Sequence, residues 1–524
     1  MISLPARVVR SLVACWGAAG LSACSVGPDF TLPETKLPGS YIAKSAAITP
    51  TTQPVTSVDL TQWWRSFRDP QMVSLVQRAI AANPDIAIAL ARLQQARARQ
   101  LAAIGAALPN AELTAGAAYG SGTDNTRARI SDTLHSAANT TGYNHLDEAG
   151  GLDAAWELDI FGKLRREIEA AHLDALAAAK ARDAILVSVI ADVARAYIDL
   201  RGIQAQIAVT RENIESARRR RDVVQDRFNR GLTNELDVTL AQRQLATFEA
   251  GLGPLTGQLQ SSQYVIAVLL GQYPETLAKE LKMDGPDPRF PAKIPIGLPA
   301  SLLQRRADIQ QAEFEIGAAT ARLGSAVADL FPRVAVTSAV GGQGGPRAAT
   351  GTPITFIGAI GPALYWPFLD FGTLDARIEV ADYRTREALL RYKANVLGAV
   401  QEVDQAIAGY NAEQNRLISL SRARSAAIDA VRLSSERYDR GLTDFLNVLD
   451  AERQLFELEA QYVISRRNAG VQLVALYKAL GGGWEHYQAV PPIRLPEPAI
   501  VAAARESNTV RPMSAYPDLL QVKP

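Results

Sequence analysis

The amino-acid sequence predicts a mainly α-helical chain made of two copies of one unit, with a small β portion that can close into a barrel only by joining other chains. Three observations lead there: an internal duplication, an amino-terminal leader, and paired alternating strands set between very long helices. Residues 227–245 and 437–455, RFNRGLTNELDVTLAQRQL and RYDRGLTDFLNVLDAERQL, agree at 11 of 19 positions, 210 residues apart. The same offset carries Trp156 onto Trp366, Phe161-Gly162 onto Phe371-Gly372 and Gly271 onto Gly481. An offset of 223 carries Asp85-Ile86 onto Asp308-Ile309 and Pro109 onto Pro332, so one insertion of 13 residues lies between 110 and 156. The repeated unit, roughly 190 residues, is far longer than a solenoid repeat and fits two halves of one wall.

At the amino terminus Arg7 and Arg10 form a basic region, Ser11 to Gly20 a short apolar run, and Leu21-Ser22-Ala23-Cys24 a lipobox. The apolar run is too short to span a bilayer and has the shape of a secretory signal. Residues 1–23 are expected to be removed and Cys24 acylated, and Ser25 rather than Asp after it favours the outer membrane. Cys15 leaves with the leader, so the mature chain keeps one cysteine and forms no internal disulfide. Cleavage also leaves 53 Lys and Arg against 54 Asp and Glu, which argues against a nucleic-acid binder. The mature sequence has no apolar run long enough for a transmembrane helix, so it can cross a membrane only as a closed β-barrel.

Strands fall at matching places in the two halves. Leu152, Ala154, Trp156, Leu158 and Ile160 alternate with Asp153, Ala155, Glu157 and Asp159. Ile354, Phe356, Gly358, Ile360, Leu364, Trp366 and Phe368 alternate with Thr355, Ala359, Gly361, Ala363 and Tyr365. This is the period of a strand with lipid on one side and water on the other, and equally of a soluble hairpin on a core. Partner strands precede them, giving four near 111–120, 149–160, 333–342 and 354–368, with polar loops at 121–146 and 342–353. Single-chain barrels start at about eight strands, and that size is filled by its own side chains. Three chains would supply twelve strands, so a trimer is the smallest oligomer that makes a conduit.

From Lys163 to Arg230 there is no proline and one glycine, Gly202, with apolar residues at Ile185, Val189, Val193, Ala196, Leu200 and Ile203. At about 1.5 Å per residue this predicts a helix of roughly 100 Å. Gly231-Leu232-Thr233 turns the chain into a return helix over about 234–270, and the second half repeats the pattern over 373–440 and 444–480. Shorter helices near 84–107 and 308–331 end at Pro109 and Pro332. Stacked end to end, a return helix and a short helix nearly match the long one. Such rods imply either a coiled-coil arm or a helical barrel.

Several segments resemble the outer-membrane efflux proteins, the TolC family, and within it the lipoprotein subgroup of OprM and NodT. They are Val26-Gly27-Pro28-Asp29-Phe30, Trp63-Trp64 with Phe67 and Asp69-Pro70, Trp156-Glu-Leu-Asp-Ile-Phe-Gly-Lys163, Leu298-Pro299 with Leu302-Leu303-Gln304-Arg305-Arg306-Ala307-Asp308-Ile309, and Arg437-Tyr-Asp-Arg-Gly-Leu-Thr443. Ala307 departs from the subgroup's usual proline. The resemblance covers residues 24–490 and implies a trimer whose 12-stranded outer-membrane β-barrel continues into a long periplasmic α-helical barrel. It also implies a passive duct that docks on a periplasmic membrane-fusion adaptor and an inner-membrane efflux pump, commonly of the resistance–nodulation–division type, with no catalysis and no cofactor. The chain then divides into the leader 1–23, a lipid-anchored segment 24–62, repeats at 63–271 and 298–481, a linker 272–297, and a C-terminal segment and tail 482–524. Segments near 40–60 and 272–300 and the tail would form a belt around the helices.

The resemblance also assigns sites. The tips Arg230-Gly231-Leu232-Thr233 and Arg440-Gly441-Leu442-Thr443 would meet the adaptor. Leu446, Asp450 and Arg453, spaced i, i+4, i+7 on one helix face, would form the closed periplasmic aperture. Three Asp450 carboxylates around one axis would repel unless protons, cations or Arg453 screened them, and a cross-subunit Asp450–Arg453 pair would hold the aperture shut. Without the resemblance, Asp450 and Arg453 read as a solvated surface pair. The equivalents in repeat one are Leu236, Leu240 and Arg243, so only one hairpin carries the carboxylate.

Other signals are weaker. Gly341-Gly-Gln-Gly-Gly345 lacks the Lys-Ser/Thr of a phosphate loop. His135, His145, His172 and His486 lack metal-ligand spacing. A type I secretion conduit, a metal-efflux conduit and a non-channel coiled-coil lipoprotein remain as alternatives. The four methionines, Met1 among them, weaken a copper or silver duct, and the alternating strands weigh against the coiled-coil lipoprotein.

Overall fold

The computed structural model describes residues 26–31, 37–42, 48–50, 58–120, 145–277, 279–281, 288–291, 294–296, 299–344 and 355–487. The leader, Cys24, loop residues 121–144 and 345–354, and the tail from 488 lie outside the described residues. Only Tyr487 of a second unit, Tyr487–Pro524, is described. The fold that follows is that of the first unit.

Two proline-started helices open repeat one. In α1 (Pro70–Ala82) the Asp69 carboxylate accepts from the Gln71 and Met72 amides at 2.9 and 3.2 Å. In α2 (Pro84–Ala106) Asn83 accepts from Asp85 and Ile86 at 2.8 and 3.2 Å. Each cap satisfies amides that a helix start leaves orphaned, with proline at the first position, where its missing N–H costs nothing. The long helix α3 (Lys163–Asn229) and return helix α4 (Glu235–Leu269) complete repeat one. Repeat two has α5 (Ala307–Ala328), α6 (Thr373–Asp439) and α7 (Phe445–Ala479).

The short and return helices do stack end to end. Asn83 Nδ2 donates to the Leu269 carbonyl at 2.8 Å, and Arg306 Nη1 to the Ala479 carbonyl at 3.0 Å, bonding the end of each return helix to the start of its short helix. The joints need glycine. Gly271 and Gly481 have φ of 66° and 73°. A Cβ on Gly271 would stand 2.4 Å from the Ala82 carbonyl oxygen, and one on Gly481 2.8 Å from Arg306. The helices lie side by side in the order α2, α3, α5, α6, with α4 against α3 and α7 against α6 and α3.

The core sits midway along the long helices. Trp63, Trp64 and Phe67 of a 3-10 turn are buried, Trp63 stacks on Tyr477 at 5.0 Å, and Phe67 meets Phe290 edge-on at 6.2 Å. Beside them Tyr197 donates to Asp69 at 2.7 Å and accepts from Arg201 at 2.9 Å. Strands β1 (Ile48–Pro50) and β4 (Ile294–Ile296) pair in parallel, which brings together two of the segments expected to form a belt.

The remaining strands, β2 (Asn110–Gly120), β3 (His145–Leu158), β5 (Arg333–Gly344) and β6 (Thr355–Tyr365), form one antiparallel sheet in the order β2-β3-β5-β6. Leu113 pairs with Leu152, Leu152 with Val340, and Ile360 with Ser338, so Leu113, Leu152, Trp156, Val340, Phe356, Ile360 and Leu364 share one face. Glu112, Asp153, Glu157 and Thr337 occupy the other. The apolar face is uncovered: Leu113, Phe356 and Ile360 are each 79% exposed. Ile160, Trp366 and Phe368, expected within strands, lie just beyond them. Two tryptophans fasten the sheet to the helices. Trp156 Nε1 donates to the Ala107 carbonyl at 3.2 Å and Trp366 Nε1 to that of Leu330 at 3.1 Å, repeat-related bonds at the ends of α2 and α5.

Candidate functional site: the hairpin tips

Both long helices end in the same way. Gly231 and Gly441, at φ of 71° and 74°, let the chain reverse. The Gly231 amide donates to Phe228 and that of Leu232 to Arg227, at 2.8 and 2.9 Å. Gly441 and Leu442 donate to Tyr438 and Arg437, at 2.9 and 2.8 Å. This is the Schellman arrangement, which usually tucks the residue after the glycine against the last helical turn. Here Leu232 and Leu442 stay 64% and 62% exposed, so each tip presents a leucine outward. Thr233 and Asn234 then start α4, with Asn234 accepting from the Asp237 amide at 3.0 Å and Thr233 bonding Asp237. In repeat two Asn447 Nδ2 donates to Thr443 Oγ1 at 2.8 Å. Arg230 pairs with Asp226 at 2.7 Å on the surface.

The two tips pack together. Val224, Val238 and Ala241 of repeat one bury against Tyr438, Phe445, Val448 and Leu449 of repeat two. The Arg227 guanidinium lies 4.7 Å over the Tyr438 ring. Phe445, Val448 and Leu449 turn one face of α7 inward, which leaves Leu446, Asp450 and Arg453 on the exposed face. Leu446 is 57% exposed, and Asp450 accepts from Arg453 at 2.8 Å and from Gln454 at 2.7 Å. The aspartate and arginine expected to pair between subunits thus pair along one helix in the single chain. The repeat-one equivalent Leu240 packs against the buried cluster. The carboxylate therefore stands where the chain is open, and its apolar counterpart where it is closed.

Behind the exposed face lies a contact that sequence reasoning missed. Arg220 of α3 donates to Glu452 at 3.1 Å and to Ser435 Oγ at 2.8 Å, tying the repeat-two return helix to the repeat-one long helix. Burial pushes the Glu452 carboxyl above its ordinary 4.5, and Arg220 pulls it partly back. Arg424 and Asn213 reach Glu459 at 3.0 and 3.4 Å two turns further along, and Phe248 meets Phe456 at 4.6 Å. The run Arg218–Arg221 was visible, but helical periodicity alone does not say which of four arginines turns inward.

Cys24 is outside the described residues, but the strap that follows it is not. The Val26 amide donates to the Phe161 carbonyl at 3.2 Å, Asp29 accepts from Arg166 at 2.6 Å, and Phe30 lies against Gly317. This fastens the strap where the sheet meets the helices. Among the described residues no cluster of His, Cys, Asp or Glu suits a metal ion, and no helix is long and apolar enough to cross a membrane.

The sequence model of a family described as "Outer membrane efflux protein" matches residues 75–272 and 298–482. Nodulation protein T of Rhizobium leguminosarum bv. viciae is 30% identical over 489 residues, covering 93% of this chain and 96% of the relative. The toluene efflux pump outer membrane protein TtgF of Pseudomonas putida is 30% identical over 493 residues, covering 90% and 97%. Among solved structures, the outer-membrane channel OprN superposes with a TM-score of 0.76 at 33% identity, over 88% of this chain and 100% of that one.

Proposed function

The chain belongs to the outer membrane efflux protein family, and from that premise we propose that three copies form a passive exit duct for small molecules handed on by an inner-membrane pump through a periplasmic adaptor. The observation that carries this reading is the sheet. Its strands β2 and β6 have no partner on their outer edges among the described residues, and one of its faces is apolar and uncovered. Open edges and a bare apolar face are liabilities in water and are resolved together by closure in lipid. Three sheets of four strands give the smallest barrel with an open lumen. The exposed Leu232 and Leu442 support adaptor docking at the tips, and the pump we propose is of the resistance–nodulation–division type that the family resemblance implies.

The aperture is formed by Leu446, Asp450 and Arg453. Support comes from their shared exposed face and from the partial burial of Leu240, which packs against the tip cluster at the equivalent place. In planar bilayers Asp450→Ala, Arg453→Ala and Leu446→Ala raise single-channel conductance, and Leu240→Ala raises it less. Unchanged conductance for the first three, with opening by the Leu240 change, would assign the constriction to the other hairpin.

A further inference from the structure

Between α5 and the start of α6 runs a groove of about 560 Å³ in which Arg322, Arg377 and Arg384 stand over Ala319, Val380 and Ala381. Arg322 is paired with Asp174. Arg377 and Arg384 have no hydrogen-bond or ion-pair partner among the described residues. The neighbouring carboxylates of α6 do not serve them. Asp382 and Glu387 are committed to Arg386 and Arg391 at 2.8 Å each. Asp375 and Glu379 lie two residues either side of Arg377, about 200° round the helix.

The side of the wall on which the groove opens follows from the strap. Phe30 and Gly27 lie against Gly317 and Gly324 on α5, with Arg166 between strap and helix. At about 100° per residue, Ala319, Arg322 and Ala326 stand roughly 140–200° from that glycine stripe, on the opposite face of α5. The strap begins two residues after Cys24, whose acyl chains belong in lipid outside the duct. The glycine stripe therefore faces outward and the groove inward.

We propose that this groove is a contact site for organic anions on the inner wall of the duct. The guanidinium groups hold a carboxylate, sulfonate or phosphate, and the alanine and valine floor carries the apolar body. Repeat one does not offer the same site, because Glu167 and Asp174 occupy the positions of Arg377 and Arg384, while Arg99 matches Arg322. Across both repeats Arg99, Arg322, Arg377 and Arg384 face two carboxylates, an excess of two positive charges per chain. The inference rests on the trimeric duct proposed above and on the acylation of Cys24 expected from its lipobox.

The test uses the full-length lipidated protein in planar bilayers, with 2-naphthalenesulfonate as anionic probe and neutral 2-naphthol as its control. The sulfonate reduces open-channel current and naphthol at equal concentration does not. The double variant Arg377→Gln, Arg384→Gln raises the half-blocking concentration about tenfold. Arg386→Gln, remote from the groove stripe and paired along its own helix, leaves that concentration unchanged. Channels that open normally but are blocked equally in wild type and double variant overturn the site and leave the duct standing. Absence of channel steps overturns both.

Discussion

Glu452 ties the repeat-two return helix to the repeat-one long helix from behind the face that carries Leu446, Asp450 and Arg453. It sits on the inner side of α7, between Asp450 and Arg453 in sequence but turned away from them, with its side chain 13% exposed and that of Arg220 20%. Its folded pKa is raised above the ordinary 4.5 by burial. The stability this group contributes is therefore fully present below 4.5 and is lost as pH rises through the raised value. Glu452→Gln should match or exceed the wild type at pH 7, because the amide keeps the shape without the buried charge. Arg220→Met leaves that charge without its counter-ion and should cost about 1–3 kcal/mol at pH 7, recovering as the pH is lowered. Thermal melts followed by helical circular dichroism check both. A loss in Glu452→Gln as large as in Arg220→Met would show that the ionic pair itself, rather than relief of a buried charge, stabilises the tip.

The elements were legible in proportion to how local their causes are. The long helices end at Asn229 and Asp439 because a Gly-Leu-Thr turn follows each, and that turn is written identically twice. The sheet faces followed from alternation, since register leaves a strand only two choices. Pro254 was less readable. It lies inside α4 with Gly251, Gly253 and Gly257 around it, residues that each disfavour a helix, yet the helix runs through. Burial flanks this stretch without reaching it, the nearest buried residues of α4 being Phe248 and Gln263. The strap and the Arg220–Glu452 contact were invisible for another reason: each joins residues more than 130 positions apart, and no spacing rule reaches so far. The strap has a testable consequence. It fixes Val26 beside the strand–helix junction, so the preceding Cys24 needs little chain to reach the membrane. Mass spectrometry of the mature amino terminus should show an acylated Cys24, and Cys24→Ser should abolish incorporation of labelled palmitate. An unmodified wild-type terminus would contradict this.

At the scale of the molecule, duplication makes the missing neighbours conspicuous. The long helices α3 and α6 are repeats of equal length, 67 residues each, yet α3 has 26 buried residues and α6 has nine. One is flanked on both sides within the chain and the other stands at an edge, where Leu390 and Leu397 are more than half exposed. The same asymmetry appears at the sheet junction. Phe161 stacks on Phe331 at 4.8 Å, while its repeat equivalent Phe371 is 91% exposed, and the equivalent of Phe331 is the half-exposed Leu108. A ring of three chains would set α6 of each against α2 of the next and give Phe371 the contact its repeat already has. The number of chains in the assembly is thus the most direct test of the account. Light scattering of the detergent-solubilised protein, corrected for bound detergent, should find three chains in the stable species, and a stable monomer or dimer would contradict the closed duct.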